Sequence, residues 1–285
     1  MQMLWHANIS ISGCQNNFKM ITFPNAKINI GLNIVSRRTD GYHNIVTLFY
    51  PIRLCDSVEV VESSTLSLRT FGRAIDCPPE KNLVMKAYRL LADEFALPPV
   101  EIDLYKHIPD GAGLGGGSSD AAHLAVMLNK MFALGLTESE LAKRLVRIGA
   151  DCPFFVYNRP MLASGIGDIL EPFDLDLGKY RIVVVKPDVY VSTAQAYAGV
   201  TPKEPTVPLN ELLQRPIAEW RDAVVNDFET SVFAKFPQLA DIKQAFYRSG
   251  AVYSAMSGSG SAIFGIFDSD TLAESCAKTL NGYLL

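Results

Sequence analysis

The chain has 285 residues, 48% of them hydrophobic and 20% charged, which places it among soluble globular proteins with one large domain or two modest ones sharing a cleft. A net charge of −4 and the lack of a basic stripe argue against nucleic acid as a general partner, and no apolar run approaches the roughly 18 residues of a membrane span. Cysteines at 14, 55, 77, 152 and 276 follow no metal-type spacing, which fits reduced thiols in a cytoplasmic protein better than a disulfide scaffold.

Residues 1–19 are polar and lack the basic start and apolar centre of a signal peptide, so they read as a tail or an upstream start. Patterning begins at Met20. From Ile21 to about Val61 the text is strand-like, with clean alternation over Ala26–Val35 and again over Ser57–Val61 and Leu66–Arg69. Asn82 to Phe95 reads as an amphipathic helix with Leu83, Ala87, Leu90 and Leu91 on one face. Val100 to Tyr105 alternates apolar with polar, as a half-buried strand does. A helix is predicted from Ala121 to Leu134, capped by Ser118-Ser119-Asp120, and another from Thr137 to Ile148, where Thr137 and Glu140 stand at capping-box spacing. Beyond Asp151 the mixture repeats. Tyr180–Lys186 and Ala262–Phe267 read as buried strands, residues 218–230, 238–249 and 271–280 as helices, and Pro202–Pro208 as a surface connection. Strands and helices mixed in both halves indicate a two-domain α/β or α+β protein.

The segment from Pro109 to Ala122 carries the most chemistry. Asp110-Gly111-Ala112-Gly113-Leu114-Gly115-Gly116-Gly117 joins a strand to a helix start. Glycines let the backbone approach a ligand, and unpaired N–H groups with the helix dipole favour an anion there. Gly111, Gly113 and Gly116 match G-x-G-x-x-G in letter, but no second strand ending in an acid follows, as a dinucleotide fold requires. No lysine follows the loop, so the Walker pattern fails, and His-Arg-Asp and Asp-Phe-Gly are missing, so a protein kinase fails too. Ser164-Gly165-Ile166-Gly167 and Ser257-Gly258-Ser259-Gly260 are further glycine turns; three such loops favour a ligand with several phosphates.

Lys27 sits mid-strand, where it either faces water on an edge or meets a partner in a cleft, because a fully buried ammonium is costly. Asp40-Gly41-Tyr42-His43 is a turn bearing two ring side chains. Gly149-Ala150-Asp151-Cys152-Pro153 holds one carboxylate between small and apolar residues, either a solvated helix-ending turn or a general base beside a cation.

Together these segments resemble the GHMP kinase superfamily, named for galactokinase, homoserine, mevalonate and phosphomevalonate kinases. Pro109–Ala122 is similar to its phosphate-binding motif and Ser257-Gly258-Ser259-Gly260 to its C-terminal glycine motif. Ala26-Lys27-Ile28-Asn29, Arg38–His43, Gly149–Phe155 and Val191–Tyr197 narrow the resemblance to the branch that phosphorylates the C2 hydroxyl of a cytidine diphosphate-linked methylerythritol on the non-mevalonate route to isoprenoids. Asn25, where that branch often has Pro, and Cys152, where it often has Val or Ile, depart from the pattern without touching an assigned role.

The resemblance implies a two-domain fold with the active site in the cleft between a nucleotide-binding domain, 20–160, and a smaller C-terminal domain, 161–285. It implies ATP and Mg²⁺ as cofactors and Asp151 as the base acting on the hydroxyl. Lys27 would stabilise the alkoxide near the γ-phosphate. Pro109, Gly111, Gly113, Leu114, Gly115, Gly116, Gly117, Ser118 and Ser119 would hold the ATP phosphates, with Ser119 touching Mg²⁺. Asn29, Asp40, Tyr42, His43, Tyr197, Ser257 and Gly258 would bind the substrate, Tyr42 and Tyr197 sandwiching cytosine while His43 reads its polar edge. The expected partner is this small molecule, with no nucleic acid or membrane, and the protein is expected to be a monomer or weak homodimer. Other small-alcohol kinases of the superfamily, or a non-catalytic nucleotide sensor on the same fold, remain as alternatives; a sensor predicts loss of Lys27 or Asp151.

Overall fold

The computed structural model describes residues 19–74 and 77–285. The tail expected over 1–19 lies outside the described residues except for Lys19, which opens the first strand and pairs with Val61. In chain order the elements are β1 (Lys19–Thr22), β2 (Asn25–Arg37), β3 (His43–Cys55), β4 (Ser57–Glu62), β5 (Ser67–Gly72), α1 (Leu83–Phe95), β6 (Val100–Lys106), α2 (Gly116–Met131), α3 (Glu138–Leu145) and α4 (Cys152–Tyr157). They continue with β7 (Met161–Ser164), β8 (Ile169–Pro172), β9 (Arg181–Val185), α5 (Thr193–Ala198), α6 (Leu209–Leu212), α7 (Phe228–Lys235), α8 (Pro237–Arg248), β10 (Tyr253–Met256), β11 (Ile263–Phe267), α9 (Asp270–Leu280) and β12 (Tyr283–Leu284).

The strands form three sheets in the orders β1-β4-β6-β5, β2-β3-β7-β8 and β10-β11-β9-β12, antiparallel except where β5 runs parallel to β6 across the α1 crossover. β6 shows the predicted alternation, with Val100, Ile102 and Leu104 buried under α1 and α2. The sheet begun by β2 continues past residue 160, because β7 pairs with β3 and the Ser164–Gly167 turn is the tip of the β7–β8 hairpin.

β2 is buried on both faces, and its sequence conceals a change of side. Ile28, Ile30, Leu32 and Ile34 look like one apolar face, yet the first two enter one core cluster and the last two another. The register with β3 slips between Ile30 and Leu32, at Gly31, whose φ of +67° suits the extra residue of a bulge. Thr47 pins this bulge by donating its hydroxyl to the Gly31 carbonyl at 2.5 Å. On the opposite side of the strand from Ile28 and Ile30 stand Lys27 and Asn29, both buried.

Two predicted helices differ from the structure. α2 starts at Gly116, five residues before the predicted Ala121, with Gly115 as N-cap at φ +72°. Ser118, Ser119 and Asp120 are therefore helical residues rather than caps, and Asp120 is held inward by Lys106. Residues 218–230 do not form one helix; a 3₁₀ turn at Ile217–Glu219 and an irregular stretch precede α7. Here the backbone leaves helix to bond β2, through Leu32 N–H to Val225 O and Asp227 N–H to Leu32 O. The capping box of Thr137 and Glu140 at α3 forms as predicted.

Candidate active site

β2 brings Lys27 to the point where the two glycine loops meet. Its backbone N–H bonds the Leu114 carbonyl at 3.0 Å, which ties the strand to the central loop. Its Nζ donates to Asn29 Oδ1 at 2.5 Å and to the Gly113 carbonyl at 3.0 Å, and lies 3.8 Å from Asp151 Oδ2. The lysine side chain is 4% exposed and the Asp151 carboxylate 36%, so the pair is a buried cation beside an acid that opens to solvent. Burial pulls the Lys27 ammonium below its ordinary range, and Asp151 pulls it partly back.

Asp151 is the residue just before α4, a short helix opened by Cys152 and Pro153. Its side chain caps nothing, which leaves both oxygens uncommitted to the helix. Neighbouring Cys152 is buried, and its thiol is pushed up to about 12, so it is a packing residue rather than a nucleophile.

In the central loop, Gly111, Gly113 and Gly115 all have positive φ. At Gly113 side-chain room is absent as well: a Cβ there would lie 2.0 Å from the Ser257 carbonyl oxygen. Gly115 leads into α2 without a side chain to cap it, so the first N–H groups of that helix are available to an anion. Gly117 is exposed, and Gly116 and Ser118 partly so, while Pro109 and Leu114 are buried supports. Ser119, expected to touch Mg²⁺, lies in the first turn of α2. Its hydroxyl is buried and donates to the Asn25 carbonyl at 2.6 Å, so it fastens α2 to β2.

Beneath the loop lies a cluster that the sequence reading missed. Lys106 is 6% exposed and donates to Asp56 and, at 2.6 Å, to Asp120. Asp56 also accepts the backbone N–H groups of His107 and Ile108. Burial and the Asp56 charge push the Asp120 carboxyl up to about 8 even though Lys106 pulls it down. The signal for Lys106 was present: in Val100–Lys106 the period of two puts it on the inward face.

The C-terminal glycine loop closes the site from the other half of the chain. Ser257 Oγ donates to the Gly113 carbonyl at 2.9 Å and accepts the Asn29 N–H at 3.2 Å. A Cβ on Gly258 would stand 3.2 Å from Asn29 Oδ1. Asn29 completes its bonding through Nδ2 to Thr47 Oγ1 at 3.0 Å.

The ring-bearing residues are brought only partly together. Asp40 shapes the turn, accepting from Arg38 Nε at 2.9 Å and from the Tyr42 N–H at 3.0 Å. Tyr42 is 62% exposed. The residue stacked on Tyr197 is His43, not Tyr42, with centroids 4.7 Å apart at 18°, and Phe228 meets Tyr197 edge-on at 4.8 Å. Burial, and then the Asp151 charge, raise the Tyr197 phenol above its usual range, which links the ring to the carboxylate.

The chain is similar to known proteins along most of its length. The GHMP kinases N terminal domain matches residues 82–159 and the GHMP kinases C terminal domain residues 209–284. The 4-diphosphocytidyl-2-C-methyl-D-erythritol kinase of Bacteroides fragilis is 52% identical over 252 residues, covering 87% of this chain and 92% of that protein. Its counterpart in Bacteroides thetaiotaomicron is 51% identical over 260 residues, covering 90% of this chain and 95% of that protein. The chain belongs to the 4-diphosphocytidyl-2-C-methyl-D-erythritol kinase family of the GHMP kinases. A crystal structure of a 4-(cytidine 5'-diphospho)-2C-methyl-D-erythritol kinase superposes with a TM-score of 0.81 at 32% identity, covering 93% of this chain and 97% of that one.

A kinase of this family takes its phosphoryl group from ATP, and the uncapped start of α2 with the glycines before it suits the ATP phosphates. Among the described residues no group of three or more His, Cys, Asp or Glu side chains could hold a metal. Among the described residues no helix is long and apolar enough to cross a membrane.

Proposed function

We propose that this chain transfers the γ-phosphoryl group of ATP to the C2 hydroxyl of 4-diphosphocytidyl-2-C-methyl-D-erythritol, on the methylerythritol phosphate route to isoprenoid precursors. The observation that carries the reading is the Lys27–Asp151 pair, 3.8 Å apart at the junction of two glycine loops. A nucleotide sensor does not need a carboxylate open to solvent beside a buried ammonium, whereas transfer to an alcohol uses both, the one to take the proton and the other to stabilise the oxygen.

In this reading Asp151 accepts the proton of the C2 hydroxyl, and Lys27 stabilises the oxygen as it gains charge and approaches the γ-phosphate. Phosphoryl transfer is mostly positioning and charge neutralisation. Asn29 and the Gly113 carbonyl hold Lys27 in one direction. The loop from Gly111 through Ser118 takes the phosphates, with Pro109 and Ser119 as supports. Mg²⁺, carried by ATP, neutralises phosphate charge when bound; the exposed part of the loop around Gly117 and Ser118 is the protein surface nearest in kind to it.

Tyr42 and Tyr197 take the two faces of cytosine and His43 its polar edge, with Asp40 fixing their turn and Ser257 and Gly258 bordering the substrate. Because His43 and Tyr197 are already at stacking distance, His43 leaves that stack when the base enters. The nucleotide half is proposed over 20–160 and the smaller half over 161–285, with the β7–β8 hairpin (161–172) of the latter completing the β2 sheet of the former. A complete site within one chain supports a monomer or weak homodimer, and an ATP-dependent step with free thiols at Cys55, Cys77, Cys152 and Cys276 supports a cytoplasmic setting.

Phosphorus NMR of the purified protein with ATP, Mg²⁺ and the cytidylyl substrate tests this, with homoserine and mevalonate as parallel acceptors. A new phosphomonoester signal with the cytidylyl substrate alone, forming far more slowly in Asp151→Asn, is the expected result. Turnover of another acceptor overturns the ring assignments, and ATP binding without any turnover overturns the enzyme.

A further inference from the structure

Asn226 is 2% exposed and lies in the irregular stretch before α7, in a segment where the sequence suggested only helix. Its side-chain amide is nearly saturated. Nδ2 donates to the Met256 carbonyl and to the Gly258 carbonyl, each at 2.8 Å, and Oδ1 accepts the Phe228 N–H at 3.0 Å. Its backbone forms a parallel bridge with Leu32, on the strand that carries Lys27. Glu229, three residues on, accepts the Met256 N–H at 2.8 Å and is itself held by Lys243 at 2.6 Å. The entry to the C-terminal glycine loop is thus gripped at a donor and two acceptors by one short segment.

What that grip controls is the spacing between the loop and the reacting groups. Gly258 borders Asn29 and Gly113, and the Ser257 carbonyl is so close to Gly113 that no side chain fits between. Ser257 Oγ and Lys27 Nζ both donate to the Gly113 carbonyl. A loop that moves inward collides with the phosphate loop, and one that moves outward loses Ser257 from Gly113 and from Asn29.

We propose that Asn226 is a positioning residue for phosphoryl transfer: by fixing the Met256 and Gly258 carbonyls to the strand that bears Lys27, it sets the distance between the C-terminal glycine loop and the lysine's two acceptors. Asn suits the position because only an uncharged amide gives two hydrogens and takes one. Asp would turn oxygens toward both carbonyls, and Ala would leave both unpaired. The proposal rests on the kinase reading above, so its test carries a second readout that needs no acceptor.

The variants are Asn226→Ala and Asn226→Asp, beside Asp227→Asn. Asp227 accepts the Ile34 N–H at 2.8 Å, far along β2 from Lys27, and touches no carbonyl of the loop. Steady-state kinetics are taken at a temperature where circular dichroism finds each variant folded, together with ADP affinity by calorimetry and amide hydrogen exchange over residues 257–260 and Gly113. The Asn226 variants are expected to lose kcat by about 10- to 100-fold, as small misplacements of reacting groups do, with ADP affinity within about threefold of wild type. Exchange should quicken over the loop and Gly113. Asp227→Asn should lower the melting temperature and leave kcat and loop exchange as in wild type.

Unchanged kcat per folded molecule in the Asn226 variants overturns the proposal. So does unchanged loop exchange, or equal loss of kcat in Asp227→Asn. If wild type itself turns over none of the acceptors, the kinase reading fails, and the exchange data alone decide whether Asn226 holds the loop against Gly113.

Discussion

Lys27 concentrates the electrostatic argument. An ammonium 4% exposed has lost most of its hydration, and what replaces it is one amide oxygen, one carbonyl and a carboxylate at 3.8 Å. Burial lowers its pKa below the ordinary 10.5, so the charged form that the proposed mechanism uses is lost as pH rises through the lowered value. The kcat profile is therefore expected to fall on an alkaline limb centred below 10.5. Asp151 acts in the opposite direction, raising the lysine. In Asp151→Asn the limb of the residual activity should move to lower pH, whereas Lys27→Arg, which stays charged, should lose the limb along with at least about 100-fold in rate. A residual limb at the same pH in Asp151→Asn would show that the two charges do not communicate.

At the scale of elements, the junction of β6 and α2 determines how the phosphate loop is held. Lys106 ends the strand, Asp120 lies in the second turn of the helix, and their bond closes the loop between them at its base. Asp120 titrates near 8 when folded and near 3.8 in an unstructured chain. Between those values the folded protein holds a proton that the unfolded chain has released, so stability falls as pH rises from about 4 to about 8. The Lys106 pKa is raised above 10.5, and any loss from it begins beyond that window. Asp120→Asn cannot titrate, so its melting temperature relative to wild type should rise from pH 5 to pH 9; a flat difference would mean that Asp120 is ionised throughout. Much of this architecture was legible. The alternation of β6, the capping box of α3 and the strand–loop–helix order came from period and spacing. The start of α2 did not, because Ser-Ser-Asp is a good cap in isolation and only Asn25 and Lys106, distant in sequence, draw Ser119 and Asp120 into the helix. Nor did the irregular stretch before α7, whose backbone bonds to β2 follow no local rule. The proposed catalytic pair was visible as two unusual placements, Lys27 in a strand and Asp151 before an apolar run, but their contact is a product of tertiary structure.

The molecule as a whole is joined where it reacts. Asn29 to Ser257, Ala262 to Ala112 and Asn226 to Met256 are hydrogen bonds across the two halves or into the C-terminal loop. With the seam drawn through the active site, neither half can open without releasing the other. Calorimetry should record one unfolding transition, and ATP at about 100 times its dissociation constant should raise its midpoint by a few degrees, the effect of roughly 2.7 kcal/mol of linkage. Two resolved transitions, with ATP moving only the first, would divide the molecule. The same seam has a bearing on how the enzyme is made. The Asn29 backbone waits for a hydroxyl 228 positions later in the chain. A ribosome that has translated Lys27, the glycine loop and Asp151 has synthesised the groups proposed to react, yet the Ser257 hydroxyl that bonds Asn29 still lies ahead. A nascent chain can therefore hold Lys27, the glycine loop and Asp151 before the Ser257 hydroxyl that bonds Asn29 has been translated.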